Sequence, residues 1–309
     1  MQHKRWLSAH EPSLWVAEDV LASRAFPLGI TTADPQAPHR LHSHRGFSEI
    51  VMVYRGEGVH FTEEEEYDIR AGDVFVIGGD LKHGFRQTRD LRLKNVCFEP
   101  KRMLLHTEHV KKLPGYHALF ELEPRYRRAH CFESRLRLHP EQLRHLLGIV
   151  AEMEREIDGE LPGYEYTVLA LFMQTVSFLC RCYSEGSHPT ARSLLRMANV
   201  ISYLEVNYNE PIRLEDLREM TRLSNSALLK HFKEATGMPP MEYLLRVRIA
   251  RAIELIRDDA ATITDAAFSV GFTDSNYFSR QFRRVMKISP SEYRTRTRRA
   301  ARQAEEPAR

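Results

Sequence analysis

His42, Ser43 and His44 stand in succession, Glu49 follows shortly, and His83 comes later in the chain. Imidazole nitrogen and carboxylate oxygen together suit divalent first-row metals. On a strand, alternate side chains share a face, so His42 and His44 point the same way. Without a metal, the same four groups donate and accept hydrogen bonds, and would line a polar pocket for a small polar effector. A purely structural polar network uses the same residues. These residues alone leave all three readings open.

A second set of chemistry-bearing residues lies near the C-terminus, on two short helical patterns. Ser226, Leu229 and Lys230 fall on the outward side of the first, and Ser275, Asn276, Ser279 and Arg280 on that of the second. Arginine suits guanine O6 and N7, asparagine suits adenine N6 and N7, and Leu229 can offer only apolar contact to a thymine methyl or a sugar. Lys233, Arg246, Arg283 and Arg284 are candidates for phosphate contact, which sets affinity and salt dependence rather than sequence choice. Taken singly, each of these four is equally explained as a solvated surface charge.

What would position this second set is an internal repeat of about 50 residues. Leu223-Ser224 aligns with Phe272-Thr273, and Phe232, Pro240, Glu242 and Tyr243 align with Phe282, Pro290, Glu292 and Tyr293, with one residue inserted in the second copy. Each copy reads helix, short turn, helix, then a hydrophobic-proline stop. In the first, 214–221 is a short amphipathic helix, Arg222 to Ser224 the turn, and 225–235 the second helix, with Ser224 suited to cap its free N–H groups. In the second, Thr262 caps 263–270, Gly271 suits a left-handed turn, and Thr273 or Asp274 caps 275–286. Leu228 with Phe232, and Phe278 with Phe282, are four apart and form core faces. This is helix-turn-helix grammar twice over. A helix over 239–257 joins the copies, and some 17 helical residues span roughly 25 Å. With the flanking bundles, such a rod can set two reading helices about 34 Å apart, one turn of DNA.

The runs ISYLEVNYNEPIRLEDL (201–217), FKEATG (232–237), YLLRVRIARA (243–252), AFSVGFTDSNYFSRQF (267–282) and SPSEY (289–293) resemble the DNA-binding domain of the AraC/XylS family of transcription regulators. The resemblance covers about a third of the chain. It implies double-stranded operator DNA as partner and, where a member activates, RNA polymerase as well. Arg222 departs from the small residue or glycine that many members carry in the first turn.

The N-terminal set needs strands. Short β-rich runs at 50–54, 59–62, 74–77 and 91–98 are separated by turn sequences at 55–58 and 71–73, a spacing that predicts a sandwich or barrel. The acidic run 63–66 reads as a solvated hairpin tip. From about His139 the period becomes helical, with one helix to Met153 and another over 164–183. Both are apolar enough to need burial, either on the β unit or against a second copy in a homodimer. Residues 184–190, with Gly186 and Pro189, read as a linker, and 297–309 as a fraying charged tail. The expected fold class is α+β multidomain, divided as a barrel at 1–138, a helical dimerisation region at 139–184, a linker at 185–192, the double helix-turn-helix domain at 193–297 and a tail at 298–309.

The pattern H-x-H-x4-E-x6-G, followed by G-x10-H, resembles the first cupin motif closely and the second in part. The Pro-x-Gly that precedes the last histidine in that family reads Gly78-Gly79-Asp80 here. The cupin resemblance implies that His42, His44, Glu49 and His83 hold a divalent metal. The whole segment also resembles the sensor domains of AraC-type regulators, particularly those of rhamnose operons. Those are cupin-like barrels that bind a sugar and require no cofactor.

Charge and composition bound the rest. The chain has 309 residues and a net charge of +3, and 193–299 carries 18 Lys/Arg against 13 Asp/Glu. The basic end suits a polyanion. Cys97, Cys131, Cys180 and Cys182 form no CxxC pair, so neither a zinc site nor a disulfide framework is expected, and a reducing cytoplasm fits. Residues 1–12 lack a signal-peptide core, and the longest apolar run, 167–180, is short for a membrane span and contains Gln174. The leading expectation is a DNA-binding transcription activator, not an enzyme, responding to a small polar effector such as a sugar. A metal-dependent cupin dioxygenase or isomerase with an appended helical domain is the rival, and a constitutive DNA-binding protein with a vestigial barrel is a third reading.

Overall fold

The computed structural model describes residues 14–23, 26–78, 81–103, 107–125, 136–185, 189–257 and 261–305. Residues 1–13, Gly79, Asp80 and Cys131 lie outside them. The chain divides into two compact units, 1–198 and 199–309.

The first unit is built on β1 (Leu14–Val16), β2 (Leu28–Ala33), β3 (His39–Arg45), β4 (Ser48–Thr62), β5 (Glu66–Arg70), β6 (Asp73–Gly78), β7 (His83–Phe98) and β8 (Leu136–Arg137). Short helices α1 (Ala17–Val20), α2 (Thr107–Val110) and α3 (Pro114–Tyr116), with a π-helical turn His117–Leu122, punctuate the strands. The strand order is β1-β3-β7-β4-β6-β8, with β2 added on β7 and β5 on β4. The long strands β4 and β7 run antiparallel to each other from Ser48 opposite Phe98 to Thr62 opposite His83. Val51, Val53, Ile69, Phe75, Ile77, Phe85, Leu91 and Leu93 fill the interior.

The turn expected at 55–58 is not a turn. Those residues continue β4, which spans both runs read as separate strands. Gly56 adopts φ +72°, and the β4–β7 register shifts between Val53 and Val59. The glycine absorbs a bulged bend without ending the strand, because both sides of it keep antiparallel partners. The turn at Gly72 (φ +98°) does form, and the acidic run lies at the β4–β5 hairpin tip, with Glu66 beginning β5.

Helices α4 (Pro140–Gly159) and α5 (Tyr164–Glu185) follow. They pack on each other and on the sheet. Phe172 meets Phe98 at 5.2 Å between ring centroids, and Lys94 Nζ reaches Glu154 Oε2 at 2.5 Å. By length and composition α5 could cross a membrane, yet half of that window is buried within the structure. Val168, Leu171, Phe172, Val176 and Leu179 form its buried face, which suits a core helix.

α6 (Pro189–Val206) begins inside the expected linker, and α5 carries on to Glu185, so helix occupies most of 184–190. The second unit contains α7 (Leu214–Thr221), α8 (Asn225–Thr236), α9 (Pro240–Arg257), α10 (Ile263–Ser269), α11 (Ser275–Met286) and α12 (Pro290–Glu305). The tail expected to fray from 297 is helical to Glu305, because alanine, arginine and glutamine are strong helix formers.

The two copies of the repeat reproduce one geometry. Phe232 stands edge-on to Tyr243 at 5.7 Å and 83°, and Phe282 stands edge-on to Tyr293 at 5.9 Å and 68°. Ser224 Oγ accepts from Ala227 N at 3.2 Å. Thr262 Oγ1 accepts from Asp265 N at 3.0 Å. Asp274, rather than Thr273, caps α11 by accepting from Asn276 N at 2.7 Å and Tyr277 N at 3.1 Å. The two turns solve one problem differently. Gly271 takes φ +86°, whereas Arg222 takes φ +56°, a left-handed conformation that costs a side-chain-bearing residue about 1–2 kcal/mol.

Candidate functional sites

Three strands bring the predicted barrel residues together. His42 and His44 come from β3, Glu49 from β4 and His83 from β7, where His42 pairs directly with His83. All four are buried, with His42 the most exposed at 7%. One ring nitrogen from each of His42, His44 and His83 lies within 4.8 Å of the others. The His42 and His83 rings are 4.2 Å apart and edge-on, and those of His44 and His83 are 4.9 Å apart. Glu49 Oε1 lies 3.8 Å from His44 Nε2.

Sequence reasoning missed two members of this cluster. Cys97 sits opposite Glu49 in register, and its Sγ donates to Glu49 Oε1 at 3.5 Å. His60 stacks on His83 at 5.3 Å and 27°, between Tyr67, Phe75 and Phe85. No motif marked either one. Cys97 could have been found only by pairing β4 with β7 in the correct register.

Burial dominates the electrostatics. Removal from water pushes the Glu49 carboxyl up to about 7, against a smaller lowering by the Cys97 hydrogen bond. It pushes Cys97 well above the usual thiol value, and the neighbouring Glu49 adds to this. Burial holds His83 well below the ordinary imidazole range, and the nearby His42, His44 and His60 add to the effect. The interior therefore favours neutral forms. Three imidazoles with convergent nitrogens and an adjacent carboxylate also fit a divalent metal by donor type and spacing.

The second site is built on helix surfaces. α8 buries Leu228, Phe232, Ala235 and Thr236 and leaves Ser226, Leu229, Lys230 and Lys233 exposed. α11 buries Phe278 and Phe282, with Asn276, Arg280, Arg283 and Arg284 exposed and Ser275 and Ser279 half-buried. Arg246, on α9, is also exposed. Two of the proposed phosphate ligands already have a carboxylate. Arg284 meets Glu242 Oε2 at 2.7 Å and Arg246 meets Glu242 Oε1 at 3.4 Å, so Glu242 ties the second reading helix to the start of the α9 rod. Tyr277, passed over in the sequence, is 46% exposed on α11 and lies against the Arg280 guanidinium at 6.0 Å.

Comparison with known proteins matches a family to each of two segments of the chain. Residues 217–296 match a helix-turn-helix domain family, and residues 28–161 match the AraC-like ligand binding domain. The HTH-type transcriptional activator RhaR of Escherichia coli (strain K12) is 30% identical over 287 residues, 93% of this chain and 97% of its own length. RhaR of Shigella dysenteriae serotype 1 (strain Sd197) is 30% identical over 278 residues, 90% of this chain and 94% of its own. Among solved structures, a probable AraC family transcriptional regulator from Rhodopseudomonas palustris CGA009 is 35% identical and spans 33% of this chain and 96% of its own, with a TM-score of 0.31. With its AraC-like ligand binding domain, its helix-turn-helix domain and relatives alike over nearly their full length, the chain belongs to the AraC family of DNA-binding transcription regulators and is not an enzyme.

Proposed function

We propose that the protein is a cytoplasmic transcription activator that reads two successive major grooves and responds to a small polar effector held in its barrel. The observation that carries this reading is the pair of α8 and α11. They are two copies of one motif with matched aromatic contacts, and their polar and basic side chains face solvent. Ser226, Leu229, Lys230, Ser275, Asn276, Ser279 and Arg280 meet base edges, with Tyr277 beside them. Lys233, Arg246, Arg283 and Arg284 meet phosphates. As an activator, it engages RNA polymerase when bound.

His42, His44, Glu49 and His83 form the effector contact, directly or through a divalent metal held by the three histidines and the carboxylate. Such a metal would supply a fixed positive charge inside a buried site. The likeness to RhaR over nearly the whole chain supports a sugar as effector. Tyr166 and Met173, 83% and 37% exposed on α5, support the pairing of two copies through 139–184.

The test is selection of bound sequences from random duplex DNA by the full chain, repeated with and without a panel of neutral sugars. A bipartite site with half-sites about one helical turn apart, altered in occupancy by a sugar, is expected. Binding with no preference over a polyanion competitor would overturn the DNA-reading assignment, and an effector-blind site would overturn the sensor. Metal content of protein purified without added ions decides the metal route.

A further inference from the structure

A cavity of about 400 Å³ opens on the barrel where β4, β5, β7 and β8 meet, lined in part by Glu57, Asp68, Arg70, Gln87, Arg89 and Arg137. None of these residues belongs to the histidine cluster. We propose that this cavity is a second small-molecule site, and that it takes a hydroxylated anion, a sugar bearing a carboxylate or a phosphate.

The lining chemistry points to that class. Three arginines line the one cavity, and arginine presents a planar fork that matches carboxylate and phosphate oxygens. Arg137 is held in place by Asp73, which is fully buried. Its Nε donates to Asp73 Oδ1 at 2.7 Å and its second nitrogen to Oδ2 at 3.2 Å. Arg89 pairs with Glu57 at 2.5 Å. Arg70 has no ion-pair partner among the described residues, so its charge is the one left for a ligand. Asp68 and Glu57 accept from hydroxyls, and the Gln87 amide both donates and accepts. This mixture fits a polyol with one anionic group better than a neutral sugar, which would leave Arg70 unanswered, or a bare anion, which would leave the acceptors unused.

The backbone supports the same place independently. Gln87 and Asp90 are not glycines, yet they adopt φ +51° and +46°. A Cβ on Gly56 would lie 2.1 Å from Asp90 O, so the bulged strands are in close backbone contact beside the cavity. Left-handed backbone of this kind is strained in residues that carry a side chain and concentrates at ligand sites. The cavity also adjoins the route to the helices. Asp73 Oδ2 accepts from Arg70 N at 2.9 Å, and Leu138 N donates to Gly72 O at 2.9 Å. A ligand on Arg70 and Arg137 therefore bears on the strand that leads into α4 at Pro140.

The experiment is thermal unfolding of the full chain, without DNA, in millimolar glucuronate, glucose 6-phosphate, glucose or inorganic phosphate. Glucuronate or glucose 6-phosphate should raise the midpoint where glucose and phosphate do not. The stronger of the two identifies carboxylate or phosphate as the anionic group. Arg70→Gln, a surface change, should weaken that binding by about tenfold or more, whereas His83→Gln should leave it intact. No shift from either charged sugar, an equal shift from inorganic phosphate, a glucose shift of the same size that persists in His83→Gln, or an unchanged response in Arg70→Gln would overturn the assignment. Because DNA is absent and the histidine cluster serves as a control, failure here is distinct from failure of the regulator reading.

Discussion

The barrel cluster and the reading helices are both small constellations of polar side chains, and they are made in opposite ways. His42, His44, Glu49 and His83 come from three strands and are at most 7% exposed. Ser226, Lys230, Asn276 and Arg280 come from single helices and face solvent. The first set exists only once distant strands have paired, and burial then alters its chemistry. The second needs only a correctly capped helix with its apolar side covered. A buried site is tuned by desolvation, and an exposed one is tuned by the identity of its side chains.

The largest effect expected from this contrast is at Glu49. Its folded value of about 7 lies above the usual 4.5, so the folded state holds that proton more tightly than the unfolded chain. In chelator, the Glu49 contribution to stability should therefore fall as pH rises from 4.5 to 7, by about 3 kcal/mol. Buried His83, held below its ordinary range, adds an opposite slope in the same window, so the Glu49 contribution is read as the difference between the urea-unfolding profiles of the parent and of Glu49→Gln. Parallel profiles for parent and Glu49→Gln would mean that the carboxyl is not desolvated.

The next test compares the two turns within the DNA-reading unit. A Cβ at Gly271 would lie 2.6 Å from Asn209 O, and the backbone there is left-handed. Gly271→Ala should cost about 2 kcal/mol or more. Arg222→Gly relieves a similar conformation with no clash and should stabilise by up to about 1 kcal/mol. Denaturant midpoints for the two variants should move in opposite directions.

A smaller effect separates the proposed base contacts from the phosphate contacts. Arg280→Ala should relax preference at one base pair by about 1–2 kcal/mol. Lys233→Ala should weaken all duplexes alike and lower the salt slope by about 1. Equal losses from both, on cognate and random duplexes, would erase that division of labour. The smallest effect is at the caps. Asp274→Ala removes an acceptor of two N–H bonds and Ser224→Ala an acceptor of one, so costs near 1 kcal/mol are expected, larger at Asp274.

The twin helix-turn-helix was legible because helical order is local. Apolar residues three and four apart, a capping hydroxyl and a glycine turn can be read along the chain, and repetition checked the reading at Phe232, Tyr243, Phe282 and Tyr293. The metal-like spacing of His42, His44, Glu49 and His83 was legible too, since its members are specific residue types at fixed intervals. His60 was not. Glu49, Val51 and Val53 turn inward at odd positions of β4, and the register shifts at Gly56 bring the even-numbered His60 inward beyond them. A slip of one residue exchanges the faces of a strand, and nothing along the chain announces where it occurs. The ion pairs of Glu242 with Arg246 and Arg284 illustrate the same limit from the helical side. Their residue types and positions were visible in the sequence, but the partner of Arg284 was set by the packing of α11 against α9.

By itself, then, the sequence determined the family, the paired reading heads and the four polar residues of the barrel, because each rests on local spacing. Only the tertiary structure decided that Cys97 faces Glu49, that His60 joins the histidines and that Arg70, Arg89 and Arg137 line one cavity. Strand pairing joins residues far apart in the chain, and its register depends on bulges whose effect appears only when both strands are in place.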